Sequence, residues 1–463
     1  MLRQLIHKEV LLHLRGARFV WVAGLFCGLV FLGLALMSQD YARRLADYQT
    51  SVAAERRELL SVDGRDPIPR QVRALTGDRG VYAFRPPRPL GPLASGLEPA
   101  APVHIHVSEA QIWSRQASEV FYRNPLLTLF PRPDLASVVA SILSLVALFF
   151  TFDAVCGEKE GGTLKLMLSA GVSRDRILLG KWAGAALTLG APFLLSVVAG
   201  LLLLVLMGRA ALDGPALARI AGMAGLALVY LSLFATVGLG VSTLTARSSS
   251  SLLICLTVWV GATFVLPHLL ASVGAAFAPA PTFQQLRLQR RAVDLDLARQ
   301  VDALTRQARS AGLSEAEVQR RRDALRQTHE AEKGRIDEAY VRRVDQQTRV
   351  SQALSRLSPA ACLVYAAAEL ADTGLGFYRR AHEAFGTYRR AFHDYAQRLL
   401  READAGRLGR DWLRPEEVPA LTLPSWGLEE ALGAAALDLL VLLLFHAAAF
   451  AAAYVLFLRY DVR

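Results

Sequence analysis

The sequence predicts an all-α polytopic membrane protein with six transmembrane helices. The 463 residues are 53% hydrophobic, which is too apolar for an ordinary soluble domain, yet 20% are charged, which is too many for membrane spans alone. Apolar runs of 18 or more residues, each long enough to cross a hydrocarbon core of ~30 Å as a helix, recur along the chain. We therefore expect six spans together with polar domains that contain a long antiparallel helical hairpin and a small irregular or β portion.

The first predicted element is an amphipathic helix over residues 1–18, lying at the membrane surface. Leu2, Leu5 and Leu12 alternate there with Arg3 and Lys8. A plain extension of the first span is the alternative, and both interpretations place the segment on the same side. The predicted spans are residues 19–37, 134–153, 182–207, 220–244, 252–270 and 434–458.

Two polar blocks separate these spans, at residues 38–133 and 279–430. The first begins with helical character and then becomes rich in proline and glycine, with a short alternating strand at Val103–Val107. His104 and His106 on that strand can bind a metal, but no carboxylate or cysteine stands beside them, which favours an ordinary edge strand. The second block carries a helical seam, which is a row of apolar residues at helical spacing. Gly312 interrupts this seam, and the pattern predicts an antiparallel hairpin. The seam consists of Leu286, Val293, Leu297, Val301, Leu304, Ala308 and Ala311, and then Leu325, Ile336, Tyr340, Leu354 and Leu357.

The distribution of basic residues predicts the orientation. Short segments at the two termini and between spans two and three hold most of the arginine and lysine near the membrane, so the positive-inside rule places them in the cytoplasm and both polar blocks outside. The remaining basic residues are spread along the chain and matched by acidic ones, so the net charge of +11 does not indicate a nucleic-acid partner. The four cysteines lie far apart and form neither a disulfide framework nor a metal-ligand spacing.

The segment between spans two and three, residues 154–181, is termed the connector. It contains five basic residues, Lys159, Lys165, Arg174, Arg176 and Lys181. Its sequence from Glu158 through Glu160, Gly161, Gly162, Thr163 and Leu164, continuing to Leu179-Gly180-Lys181, resembles the signature that follows the second span of type-2 ABC transporter permeases. Ser358-Pro359 and Glu369-Leu370 are similar to a subgroup of these permeases with large extracytoplasmic insertions after spans one and five.

The resemblance implies a transmembrane permease subunit in the bacterial cytoplasmic (inner) membrane. In that family a short cytoplasmic coupling helix docks in a groove of a separate ABC ATPase dimer, and ATP and Mg²⁺ belong to that partner. It also implies a second permease copy or a similar permease, contact with membrane lipids, and export or extraction of a substrate. An extracytoplasmic partner for the polar blocks is a further expectation.

The connector residues suit this role. Glu158 and Glu160 are expected at the N-terminal end of the coupling helix, where the helix dipole favours acidic groups. Gly161 and Gly162 allow a turn, and Thr163 is a candidate helix cap. Apolar contact with the ATPase is assigned to Leu164, Leu166, Met167 and Leu168, and pairing with its acidic groups or with lipid phosphates to Arg174, Arg176 and Lys181. The alternative is a solvated loop whose basic residues face lipid.

No ATP site is expected on this chain, since the phosphate-binding loop Gly-x-x-x-x-Gly-Lys-Ser/Thr is missing from the sequence. At Gly180-Lys181-Trp182 the hydroxyl position holds tryptophan. Two ionisable residues in the last span, Asp438 and His446, form a candidate intramembrane polar site for proton relay or substrate contact, with helix packing as the alternative.

Two other functional classes remain open at the level of the sequence. One is a non-transporting assembly or scaffold protein whose hairpin recruits envelope partners. The other is a membrane-embedded enzyme, which is disfavoured because His329-Glu330 and His382-Glu383 both lack the second histidine of a zinc-protease helix and no Gly-x-Ser-x-Gly occurs. We expect no catalytic residue and no metal site on this chain.

Overall fold

The computed structural model describes residues 2–60, 67–108, 134–206, 213–311, 313–409 and 417–459. The chain divides into two compact units, the first formed by Met1–Val260 together with Cys362–Arg463 and the second by Gly261–Ala361.

Fifteen α-helices are described and are numbered in chain order; π-helical segments at Ala74–Arg79 and Gly261–Val265 and a 3-10 turn at Glu98–Ala100 are left unnumbered. They are α1 Leu2–Arg15, α2 Ala17–Leu60, α3 Ile68–Arg73, α4 (Leu135–Val138 and Ser144–Thr151, joined by a π-helical turn at Val139–Leu143), α5 Cys156–Glu160, α6 Thr163–Ser169, α7 Arg174–Leu206, α8 Gly214–Leu244, α9 Ser248–Val260, α10 Leu266–Phe277, α11 Phe283–Ala311, α12 Glu315–Ser355, α13 Pro359–Leu370, α14 Leu375–Asp404 and α15 Leu428–Leu458.

Six helical segments are long and apolar enough to cross a membrane, which confirms the predicted fold class. They are Phe19–Leu59, Leu135–Glu160, Arg174–Leu202, Gly214–Leu244, Ser248–Phe277 and Leu428–Leu458. The pair α13 and α14 passes the same test only if taken together, and it is bent by 46°.

The first span belongs to a helix that continues far beyond the predicted end at residue 37. Helix α2 runs without a break to Leu60, because residues 38–60 contain neither glycine nor proline to stop it. An ion pair one turn apart, Asp40 with Arg44 at 3.0 Å, lies in this polar extension.

Helix α8 is the central helix of the first unit. Its side chains are buried along most of its length, and Tyr230 is fully enclosed. The Tyr230 hydroxyl donates a hydrogen bond to the carbonyl of Ala140 (2.9 Å) in the π-helical turn of α4. Gly238 allows close approach of α4, since a Cβ there would collide with Thr151. Close packing and this buried hydrogen bond therefore hold spans two and four together.

A two-stranded antiparallel sheet lies in the first polar block. Strand β1 (Val81–Phe84) pairs with β2 (His104–Val107), with Val81 opposite Val107. The predicted strand is thus confirmed, whereas its four-residue partner β1 was not predicted. The His106 ring lies 2.6 Å from the Arg79 carbonyl, as expected of an ordinary strand histidine.

Helix α14 supplies the apolar surface on which this sheet packs. Its buried side chains recur at helical spacing, which makes one face of the helix apolar. The resulting core contains Val72, Leu75, Val81, Val107, Tyr388, Phe392, Tyr395 and Leu399.

The second unit contains the predicted hairpin. Arg322 donates to Thr305 (2.9 Å), and His329 contacts Asp296 (3.2 Å), so α11 and α12 run antiparallel. Ser314 caps α12 by accepting from the amide of Glu317. The predicted hinge residue, Gly312, lies outside the described residues. Leu286, Val293 and Leu304 are buried as predicted, but the seam prediction for Leu357 was wrong, since it is 59% exposed.

A buried ionic network occupies the end of the first unit near the start of α8. Asp372 pairs with Arg88 (3.2 Å) and with Arg380, while Arg219 on α8 donates to the carbonyl of Trp426, just before α15. Burial raises the pKa of Asp372 and lowers that of Arg88, so each charge depends on the other. The network ties a loop of the first polar block to the ends of several helices.

We expect Asp372→Asn to destabilise the protein by about 3 kcal/mol, because the guanidinium groups of Arg88 and Arg380 lose the carboxylate with which they pair. Asn also tolerates the left-handed backbone of this position (φ 56), so the substitution tests charge and not strain. The measurement is the midpoint of thermal unfolding in detergent. Glu338→Gln is the control, since Glu338 and its partner Arg342 are 72% and 70% exposed and such pairs contribute little. Equal midpoints for the two variants would contradict the assignment.

Candidate functional site: the connector

The connector folds as two short helices. Helix α5 ends at Glu160, and Gly162 takes a left-handed conformation (φ 71) from which α6 begins. A second left-handed glycine, Gly171 (φ 76), follows α6 and precedes the long helix α7. Both positions favour glycine because other residues are strained at such angles. The turn predicted at Gly161 and Gly162 is present, and it lies between α5 and α6.

The inner side of the connector is an apolar core. Leu164 is 1% exposed and packs with Val155, Ile177, Leu239 and Phe457. The amides of Val155 and Cys156 both donate to the Ser242 hydroxyl, at 2.9 and 3.0 Å. The connector is thereby packed directly against the ends of α8 and α15.

Charged connector side chains bind the ends of three further spans. Lys159 donates to the carbonyls of Thr243 (2.6 Å) and Thr245 (2.9 Å) at the C-terminal end of α8. Arg174 donates to the carbonyls of Phe457 and Leu458 at the C-terminal end of α15.

Glu160 provides the matching contact of opposite charge. It accepts from the amide (3.0 Å) and the hydroxyl (2.8 Å) of Ser248, the first residue of α9. The cationic side chains of the connector thus bind carbonyls at the C-terminal ends of helices, and the anionic Glu160 binds an amide at the N-terminal end of one. The helix dipole favours both arrangements.

Lys181 joins the connector to the N-terminal helix. Its ammonium lies 3.2 Å from Glu9 on α1 and 2.7 Å from Glu158 on α5, and all three side chains are largely buried. Close packing supports the pair, since a Cβ at Gly184 would lie 2.6 Å from the Cβ of Glu9. Helix α1 is therefore fixed to α7 and to the connector together.

The outer side of α6 is exposed. Leu166 is 69% exposed, and Thr163, Lys165, Ser169 and Ala170 are exposed around it. Met167 and Leu168 are half-buried against the inner core. Leu166 is the large apolar side chain that this surface offers to a partner.

Several residue roles differ from the sequence predictions. Glu158 and Glu160 lie on α5 and bind Lys181 and Ser248, so they do not precede α6 as dipole partners. Thr163 does not cap α6, since Gly162 holds the N-cap position and the Thr163 hydroxyl donates back to the Glu158 carbonyl (3.4 Å). Leu164 is in the core, so its apolar surface is not available to a partner. Periodicity over so short a segment does not distinguish the inner from the outer face, so the sequence alone predicts the same role for Leu164 and Leu166.

The two ionisable residues of the last span do not form one site. His446 contacts the hydroxyls of Thr236 (3.2 Å) and Ser232 (3.4 Å) on α8. Asp438 is fully buried eight residues away, about 12 Å along the helix axis. His446 therefore acts in helix packing at this position.

Comparison with known proteins identifies the family. Residues 4–462 match the family model described as ABC-2 family transporter protein. The chain belongs to the ABC-2 transporter family. It is a multi-pass membrane protein with six candidate spans in the described part of the chain.

Curated relatives match part of this ABC-2 chain. One is a probable ABC transporter permease protein, NosY, of Stutzerimonas stutzeri, 44% identical over 62 residues, which are 13% of this chain and 22% of the relative. The protein of the same name from Pseudomonas aeruginosa is 43% identical over 56 residues, 12% of this chain and 20% of the relative. The chain therefore spans about a fifth of the length of these relatives.

We expect Lys159→Met to loosen the connector of this ABC-2 permease, because α8 loses two hydrogen bonds from a charged donor. Such bonds contribute about 1.5 kcal/mol or more each, so amides of residues 155–160 should exchange at least tenfold faster. Hydrogen exchange in nanodiscs measures this. Lys165→Met removes an equally long but exposed side chain and should leave exchange unchanged. A similar acceleration in both variants would refute the capping role.

Proposed function

We propose that this chain is the permease subunit that couples ATP hydrolysis by a separate ATPase to movement of a substrate across or out of the membrane. The observation that carries the proposal is the convergence of five spans on the connector. Spans two and three are continuous with it, and spans four, five and six are bound at their ends by Lys159, Glu160 and Arg174.

The connector has the two surfaces that a coupling element needs. Its inner surface is bonded to the spans, and its outer surface presents Leu166 among small and basic residues. A force applied to the outer surface passes to the span ends because the inner surface has an apolar core and makes charge-assisted hydrogen bonds to those ends. The resulting motion is a rigid-body tilt of helices of the hinge or shear type.

The nucleotide belongs to the partner in this proposal. The chain has no phosphate-binding loop of its own, and ATP and Mg²⁺ are bound by an ABC ATPase dimer. Two permease chains, or this chain and a similar permease, stand above the two ATPase subunits. Export or extraction is the direction implied by the resemblance.

The positive-inside rule supports a bacterial inner-membrane topology with both termini and the connector in the cytoplasm. Residues 38–133 and 279–430 are then extracytoplasmic, where they receive cargo, hand it over or bind a partner. Basic side chains at the cytoplasmic ends of the spans contact lipid headgroups.

We expect Leu166→Glu to uncouple the complex, because it places a charge in an apolar contact with the ATPase without disturbing the core. The test reconstitutes the permease with its ATPase and measures co-purification and the ATPase rate. Both should fall at least fivefold, while membrane insertion stays unchanged. The matched control is Leu288→Glu on α11, which is 61% exposed compared with 69% for Leu166. An ATPase that binds and turns over equally with both variants would remove the coupling assignment.

A further inference from the structure

A groove of about 610 Å³ runs between α7 and α15, and its wall residues Trp182, Phe450 and Tyr454 pack against the connector core. Ligand pockets in proteins are of this size. Its walls include Leu179 and Trp182 from α7, and Leu443, Phe450, Ala451 and Tyr454 from α15.

Two polar groups in the groove walls are turned towards α8. The Trp182 indole donates to the Ser232 hydroxyl (3.1 Å), and His446 Nε2 lies 3.2 Å from the Thr236 hydroxyl. What remains exposed in the groove is hydrocarbon and aromatic surface. A ligand with an apolar body therefore fits it, and a hydrophilic solute does not.

The length of the groove matches the thickness of one membrane leaflet. From Leu443 to Tyr454 it extends about 16 Å along α15, compared with ~15 Å for half of the hydrocarbon core. Tyr454 lies one turn before the end of α15, where Arg174 binds the last carbonyls. The groove thus extends from the membrane surface on the connector side to about the midplane.

The end of the groove at the connector is positively charged. Arg174 and Arg176 stand at the start of α7, Arg459 follows α15, and Asp175 is the acidic residue among them. Arg176 and Arg459 are exposed. An amphiphile with an anionic headgroup complements this arrangement, because its charge meets the arginines while its chain enters the groove.

We propose that the groove binds one acyl chain of a phospholipid from the leaflet on the connector side, with the lipid phosphate at Arg176 and Arg459. The bound chain fills the space between α7 and α15 and supports the two helices where they do not pack closely on each other. The proposal depends on the membrane-spanning fold and is independent of the ATPase partner. A second copy of this chain is a less suitable occupant, since it would bring further basic residues to the same end.

The test uses the full-length chain in nanodiscs that contain a phosphatidylglycerol with a photoreactive acyl chain. After illumination, we expect mass spectrometry to map adducts to the groove walls. Ala451→Phe fills the groove and should reduce these adducts at least fivefold, and Ala447→Phe, in the same wall, serves as a second variant should the first not fold. Ala452→Phe is the matched control, because this exposed neighbour does not line the groove and should label as the unmodified chain does.

A second arm tests the headgroup. A photoreactive diacylglycerol of equal chain length lacks the phosphate and should label the groove less than the phospholipid. The double variant Arg176→Gln/Arg459→Gln should lower phospholipid labelling to the diacylglycerol level. Equal labelling of Ala451→Phe and Ala452→Phe would show that the labelled lipid is ordinary annular lipid, and would overturn the proposal. A disulfide between two chains that carry Ala451→Cys would also overturn it, because a second copy of the chain would then occupy the groove.

Discussion

The binding of span ends by charged connector side chains is the interaction on which the rest of this structure depends. The last carbonyls and first amides of every helix lack partners within the helix, and leaving them unpaired near a membrane is costly. Here Lys159 and Arg174 satisfy the ends of α8 and α15, and Glu160 satisfies the start of α9. Because these contacts complete the helices, the connector cannot move away from the spans without exposing unpaired backbone groups.

A second set of buried charges constrains the other end of α8. Arg219, near the start of this helix, donates to the carbonyls of Leu370 and Trp426, and Asp372 binds two further arginines close by. Helix α8 is therefore held at both ends by charge-assisted contacts and along its length by close packing. Close packing along α8 resists its deformation between these two ends.

Elements whose sequence pattern extends over many residues could be predicted from the sequence. Elements that are defined by only a few residues could not. Six spans follow from hydropathy over windows of about 20 residues, and the hairpin follows from a seam over two long helices. Strand β1 was missed, since Val81–Phe84 is too short for alternation to be detected and its identity depends on pairing with β2. Likewise, the choice between Leu164 and Leu166 depends on where Phe457 and Leu239 lie, and these residues are far away in sequence. The partners of Glu160 and Arg174 were unpredictable for the same reason.

The choice of lysine at two positions of the connector, Lys159 and Lys181, has a physical explanation. Lysine is rare in this chain, with only Lys8, Lys159, Lys165, Lys181 and Lys333 among 52 basic residues, yet three of these five lie in the connector. An ammonium is a compact charge with three donors, whereas a guanidinium is a planar fork that needs room on its edges. Lys159 reaches two carbonyls, two residues apart, at the C-terminal end of α8, and Lys181 stands between two carboxylates from different helices. At each of the two sites the acceptor oxygens point to one position. A compact ammonium fits that position, whereas a planar guanidinium would have to move the acceptors apart.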